Sequence, residues 1–201
     1  MCDLRLEHWL QPTVVQILSM MSNLPPSTAS FSSPLHFLQQ HPLLLDALLM
    51  DCNYDLDEVT QLIEPALTAA ARCERTPYYI QAVVIGNTRF LMTNAAPDQT
   101  TDITPQPSTW LVGRSPACAI TIANRLVSRC HAVIGYHSAY GFYITDLSSS
   151  NGTRVNYRRL SPSERYLLQD GDLLQLGGFK LEFFLISQVR QAAAIDETTC
   201  Y

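Results

Sequence analysis

Apolar and polar residues follow two rhythms along this chain, and the change comes near residue 76. Up to about residue 75 the apolar spacing is helical. The stretch "SPLHFLQQ" sets Ser33 as an N-cap before Pro34 at the first helical position. "DLDEVTQLIEPALTAAARC" opens with Asp55 and Glu58 at capping-box spacing and places Leu56, Val59, Leu62 and Ile63 along one face. Pro12, Pro42 and Pro65 are expected to kink or end their helices. "SNLPPSTASFSS", near residues 22–33, reads as a flexible linker.

From about residue 78 the period is two. "YYIQAVVI", Gly86-Asn87 and "TRFLMT" together signal a hairpin. "NAAPDQTTDITPQPS" reads as a polar, proline-bearing loop, and the short alternating runs "TWLVG", "AITI", "HAVIGY", "GFYITD", "TRVNY", "DLLQL" and "FKLEFFL" follow. Many short strands at this spacing predict an all-β sandwich. The expected organisation is a helical region over 1–75, a sandwich over 76–188 and a flexible tail over 189–201. Helical stripes usually mean packing, but these leucines could lie on the sandwich, pair with a second copy or bind another protein.

Charge sharpens the division. The chain of 201 residues carries a net charge of −5, which gives no global pull towards nucleic acid or acidic membranes. Residues 1–75 hold nine acids and three arginines, whereas 103–169 hold seven arginines against Asp146 and Glu164. A basic block inside an acidic protein points to a local anionic ligand, or to arginines that solubilise strand edges. Six scattered cysteines without a CxxC pair read as reduced thiols of a cytoplasmic protein. The most apolar run, "PLLLDALLM", is too short to span a bilayer.

The polar residues of the β region collect in three turns: Gly113-Arg114-Ser115, Ser128 to His131, and Ser150 to Thr153. If these turns meet at one end of a sandwich, they present a guanidinium, two hydroxyls and a carboxamide. That set suits a phosphate on an extended peptide. The order and spacing of GRS, S-R-x-H and S-N-G-T, followed by "LQDGDLLQLG", resemble the forkhead-associated (FHA) domain over about residues 78–186.

The resemblance implies a mainly β fold, an eleven-stranded sandwich preceded here by a small α-helical region, that binds phosphothreonine peptides without catalysis. By the same resemblance, Arg114 and Ser128 contact the phosphate, and Ser150 adds a second hydroxyl or backbone contact. Arg129 and Asn151 hold the peptide, while Gly113, His131, Gly152 and Thr153 shape the loops. By the same resemblance, selectivity for the residue three places after the phosphothreonine lies in more variable loops; Leu126 is a candidate there, and its apolar side chain would favour an apolar peptide residue.

Enzyme readings find little support. "GRSPA" lacks the second glycine of a nucleophile elbow. Neighbouring Cys130 and His131 would point to opposite faces of a strand, and Cys118, Cys130, His131 and His137 lack zinc-ligand spacing. No glycine run for nucleotides is present. No metal or cofactor is expected. The leading expectation is an adaptor for a phosphothreonine-containing protein, a Ser/Thr kinase or its substrate, with the helical region recruiting or forming a homo-oligomer. One alternative is an assembly module whose pocket is unused. Another is self-association through phosphorylated Thr100, Thr101, Thr198 or Thr199.

Overall fold

The computed structural model describes residues 33–95, the backbone of 102–105, and residues 108–188. The expected linker, apart from Ser33, the expected C-terminal tail, and the four acceptor-like threonines lie outside the described residues.

Two of the three described helices begin where their caps predict, and Pro42, expected to kink or end a helix, instead begins one. The Ser33 hydroxyl accepts a hydrogen bond from the His36 N–H at 3.3 Å and opens α1 (Pro34–Gln40). Pro42 starts α2 (Pro42–Asp51), where a missing N–H costs nothing. The Asp55 carboxylate accepts from the Glu58 N–H at 3.0 Å and opens α3 (Leu56–Leu67). Pro65 sits in the last turn of α3; the helix stops two residues later, and a separate 3₁₀ turn covers Ala69–Arg72.

Twelve strands among the described residues form two sheets. They are β1 (Tyr79–Ile85), β2 (Thr88–Thr93), β3 (Asp102–Pro105), β4 (Thr109–Gly113), β5 (Ile120–Thr121), β6 (Ala132–His137), β7 (Gly141–Asp146), β8 (Thr153–Val155), β9 (Arg158–Arg159), β10 (Arg165–Leu167), β11 (Asp172–Leu176) and β12 (Phe179–Gln188). The larger sheet runs β3-β2-β1-β12-β11-β8-β9 and the smaller β10-β7-β6-β4-β5. Two segments, β5 and β9, are only two residues long. Within the stretch read as a loop, β3 pairs antiparallel with β2. A short, proline-ended strand is tolerated there because it lies at the sheet edge. Less visible in sequence is the parallel pairing of β1 with β12, about a hundred residues apart.

The sandwich core is built from inward residues of both sheets, with Trp110, Phe142, Ile144, Leu174 and Phe183 fully or almost fully buried. The helices do not stand apart from it. Leu38, Leu45, Leu48, Leu49, Val59 and Ile63 share one apolar cluster with Val83, Ile85, Phe90 and Met92 on the outer face of β1 and β2. The described helices thus pack on the sandwich, the first of the three readings of the helical stripe.

Polar ties reinforce that contact. The Asp51 carboxylate accepts from the Asn87 and Thr88 N–H groups at 3.1 and 2.8 Å. Buried Glu182 on β12 accepts from the N–H groups of Glu74, Arg75 and Thr76 at 2.9, 2.8 and 3.2 Å.

Strand register carries the three polar turns to one end. Val112 near the end of β4 faces Ala132 at the start of β6, and Ala132 faces Asp146 at the end of β7. In parallel with β4, β5 places Gly113 against Thr121. The chain therefore leaves β4 and β7, and enters β6, at the same edge. The turn after β7 then crosses to the larger sheet, where β8 pairs with β11.

Candidate functional site

The three turns enclose an open cleft of about 600 Å³. Arg114, Ser128, Arg129, Ser150 and Asn151, predicted from five separate positions, all line it. Sequence reasoning passed over Arg125 and Ser148, which line it too. Arg125 carried no motif, and its position follows only from the path of the 122–131 loop.

Backbone contacts lock the loops to one another. The Arg114 N–H donates to the Ser128 carbonyl at 2.9 Å, and the Ser115 N–H donates to the Arg129 carbonyl at 3.1 Å. Gly113 makes this approach feasible, since a Cβ there would fall 2.2 Å from the Arg129 oxygen. The Arg114 Nε donates to the Val127 carbonyl at 3.3 Å, which steadies the side chain beside the cleft.

The two serines are coupled. The Ser150 N–H donates to the Ser128 Oγ at 3.1 Å, and the hydroxyls lie 3.5 Å apart. The Ser128 hydroxyl donates to the Ser150 Oγ across that long 3.5 Å contact, so an incoming anionic acceptor can take its hydrogen at little cost. Asn151 Nδ2 donates to the Leu126 carbonyl at 2.9 Å and ties the third loop to the second. Leu126 itself is an exposed apolar side chain at the rim.

Below the cleft lies the frame. Fully buried His131 accepts at Nδ1 from the Ser128 N–H at 2.9 Å, and its Nε2 lies 3.3 Å from the Gly152 carbonyl. These contacts require a neutral ring with its proton on Nε2. Burial lowers the His131 pKa, against the opposing pull of the Gly152 carbonyl and Asp146.

Asp146 accepts from the hydroxyls of Ser149 and Thr153, each at 2.7 Å, and from the Ser149 N–H at 3.0 Å. Burial pushes its pKa up, but these hydrogen bonds outweigh burial and hold it below the ordinary value. Gly152 adopts a positive φ of 77° as the turn enters β8. Thus His131, Gly152, Thr153 and Gly113 sit beneath or between the loops, and the polar ends of the other five residues surround the opening.

The charge of the cleft is one-sided. Arg114, Arg125 and Arg129 line it, no carboxylate does, and among the described residues none of the three forms an ion pair. All three arginines are exposed, and like charges gathered around one opening raise a positive potential that a multiply charged anion satisfies.

Comparison with known proteins accords with this geometry. The family profile described as "FHA domain" matches residues 110–177, the span from β4 to the end of β11 that contains all three loops. Residues 110–177 are an FHA domain. The helices, β1, β2 and β12 that complete the sandwich lie outside the matched span of the FHA profile.

Among proteins similar to this chain are E3 ubiquitin-protein ligase DMA2 of Saccharomyces cerevisiae, 42% identical over 62 residues, and Smad nuclear-interacting protein 1 of Mus musculus, 32% identical over 102 residues. The first match covers 29% of this chain and 12% of the relative; the second covers 44% and 27%. The chain thus spans only a small part of either relative. A solved FHA domain of a hypothetical protein from Arabidopsis thaliana is 33% identical, with a TM-score of 0.38, over 45% of this chain and 80% of that one.

Proposed function

We propose that the cleft binds a phosphothreonine-containing segment of another protein, and that the chain is a non-catalytic, cytoplasmic adaptor acting downstream of a Ser/Thr kinase. The observation that carries this reading is the convergence of three unpaired guanidiniums with the Ser128 and Ser150 hydroxyls around an opening that no carboxylate lines. FHA family membership supports it. No helix among the described residues is long and apolar enough to cross a membrane.

The magnitudes are adequate. A phosphothreonine brings about −1.5 to −2 charges and three strong acceptors. Three charge-assisted hydrogen bonds at about 1.5–3 kcal/mol each amount to roughly 4–9 kcal/mol. A micromolar complex has about −8 kcal/mol in all. Phosphorylation therefore supplies most of the affinity, and the unmodified peptide binds very weakly.

The test is a titration of two degenerate peptide pools, one with a fixed phosphothreonine and one with threonine, against wild type and Arg114→Ala. Wild type should select the phosphorylated pool, and Arg114→Ala should weaken that binding about 10- to 150-fold. Equal retention of the two pools by wild type would overturn the proposal.

A further inference from the structure

The larger sheet has an outer face in two halves. Over β1 and β2 it is apolar and covered by the helices. Over β12, β11, β8 and β9 it carries a row of long polar side chains in direct cross-strand register. Arg159 on β9 faces Arg154 on β8, Arg154 faces Gln175 on β11, and Gln175 faces Lys180 on β12. Three cations thus line up across four strands, with Arg159 and Lys180 exposed and Arg154 half-buried.

Nothing described neutralises them. None of the three forms an ion pair or lies over an aromatic ring among the described residues. The acids nearest along these strands are committed elsewhere. Glu182 accepts from the 74–76 backbone and from Arg75 Nε, Asp172 from Asn156 and the Gln169 N–H, and Asp170 from Arg72 and the Leu185 N–H. Like charges directly opposite each other destabilise a strand pair. In a chain whose net charge is −5, such a row is no consequence of general basicity.

The row also adjoins the cleft. The Arg159 guanidinium lies against Gly152, where a Cβ would fall 2.8 Å from its terminal nitrogen, and Gly152 follows cleft-lining Asn151 directly. Gly177 abuts the Leu126 carbonyl and the Asn151 Cβ, and Gly178 abuts the Leu126 side chain. The wall of the cleft formed by Asn151 and Leu126 is thereby continuous with the end of the basic row.

We propose that Arg159, Arg154 and Lys180 form an anionic-segment site that takes a run of aspartate or glutamate on one side of the phosphothreonine. This rests on the reading of the cleft given above and extends it. The partner is therefore a protein whose phosphorylation site is flanked by acidic sequence. A segment leaving the cleft past Asn151 reaches the Arg159 guanidinium, which lies against Gly152, and one leaving past Leu126 reaches the β11–β12 turn that leads to Lys180.

The test uses the full chain and three phosphothreonine peptides: one with alanine flanks, one with glutamates preceding the phosphothreonine and one with glutamates following it. One acidic peptide should bind wild type about 5- to 20-fold tighter than the alanine-flanked peptide at low salt. That advantage should disappear in R154Q/R159Q/K180Q while the alanine-flanked peptide binds as before. It should also shrink with added salt in wild type, a readout that does not depend on the variant folding.

If the alanine-flanked phosphopeptide binds but neither acidic flank improves it, the basic row has no such role and the cleft reading stands. If no phosphopeptide binds in preference to its unmodified form, both fall. A labelled single-stranded oligonucleotide that binds wild type and is lost in the triple variant, with no gain from acidic flanks, would assign the row to nucleic acid and overturn the proposal.

Discussion

His131 is the residue on which the geometry of the cleft hangs, and it lies fully buried beneath the loops. Its Nδ1 holds the Ser128 N–H, so Ser128 keeps its place only while the ring is neutral. Burial favours that state and lowers the pKa. A histidine whose pKa is lower folded than unfolded contributes stability that is complete above about 6.5 and lost as the pH falls through the folded value. Asp146, also held below its ordinary value, works in the same direction at more acidic pH.

The melting temperature should therefore decline as the pH falls below about 6.5. An NMR titration should show His131 keeping its neutral form to lower pH than an exposed imidazole. A His131 that protonates as an exposed imidazole does would remove this link. The motif residues were legible because they act at short sequence range. Asn151-Gly152 announces a turn, and S-R-x-H carries its brace three residues from the serine it holds. Arg125 and the row Arg159, Arg154 and Lys180 were not legible, because their neighbours are set by strand register across distant segments.

At the scale of elements, the alternation of apolar residues marked most strands, and the caps at Ser33 and Asp55 marked two of the three described helix starts. Pairings were hidden. The parallel ladder of β1 with β12 joins the two ends of the sandwich, and no local pattern encodes a contact of that range. The strand β3 was missed because a short polar edge strand looks like a loop.

The end of β4 offers a sharp test of loop locking. Gly113 admits the Arg129 carbonyl where a Cβ would be 2.2 Å away, so Gly113→Ala must push the 128–130 backbone outward. A loss of about 1–3 kcal/mol in stability is expected from denaturant titration. Phosphopeptide affinity should fall with it, because the displaced segment carries Ser128 and Arg129. Unchanged stability and affinity would show that the loops are not locked through this contact.

At the scale of the molecule, the helices and the sandwich share buried surface, which bears on every proposal that frees the helical region to recruit a partner. Leu48 is fully buried in the cluster that joins α2 to the outer face of β1 and β2. Leu48→Ala should cost about 2–5 kcal/mol. The protein should still unfold in one transition monitored by far-ultraviolet and aromatic circular dichroism. Two separate transitions, with only the helical one shifted, would mean that the contact carries little energy.

Among the described residues the same packing leaves the loop end and the basic half of the larger sheet uncovered, the end at which the proposed function places an anionic partner. The most direct check is an NMR comparison of amide shifts after adding the phosphothreonine pool and its unphosphorylated counterpart. The account predicts changes concentrated at Arg114, at 126–130 and at 148–152, with the phosphorylated pool alone. Equal changes with both pools, or changes that avoid these loops, would contradict it.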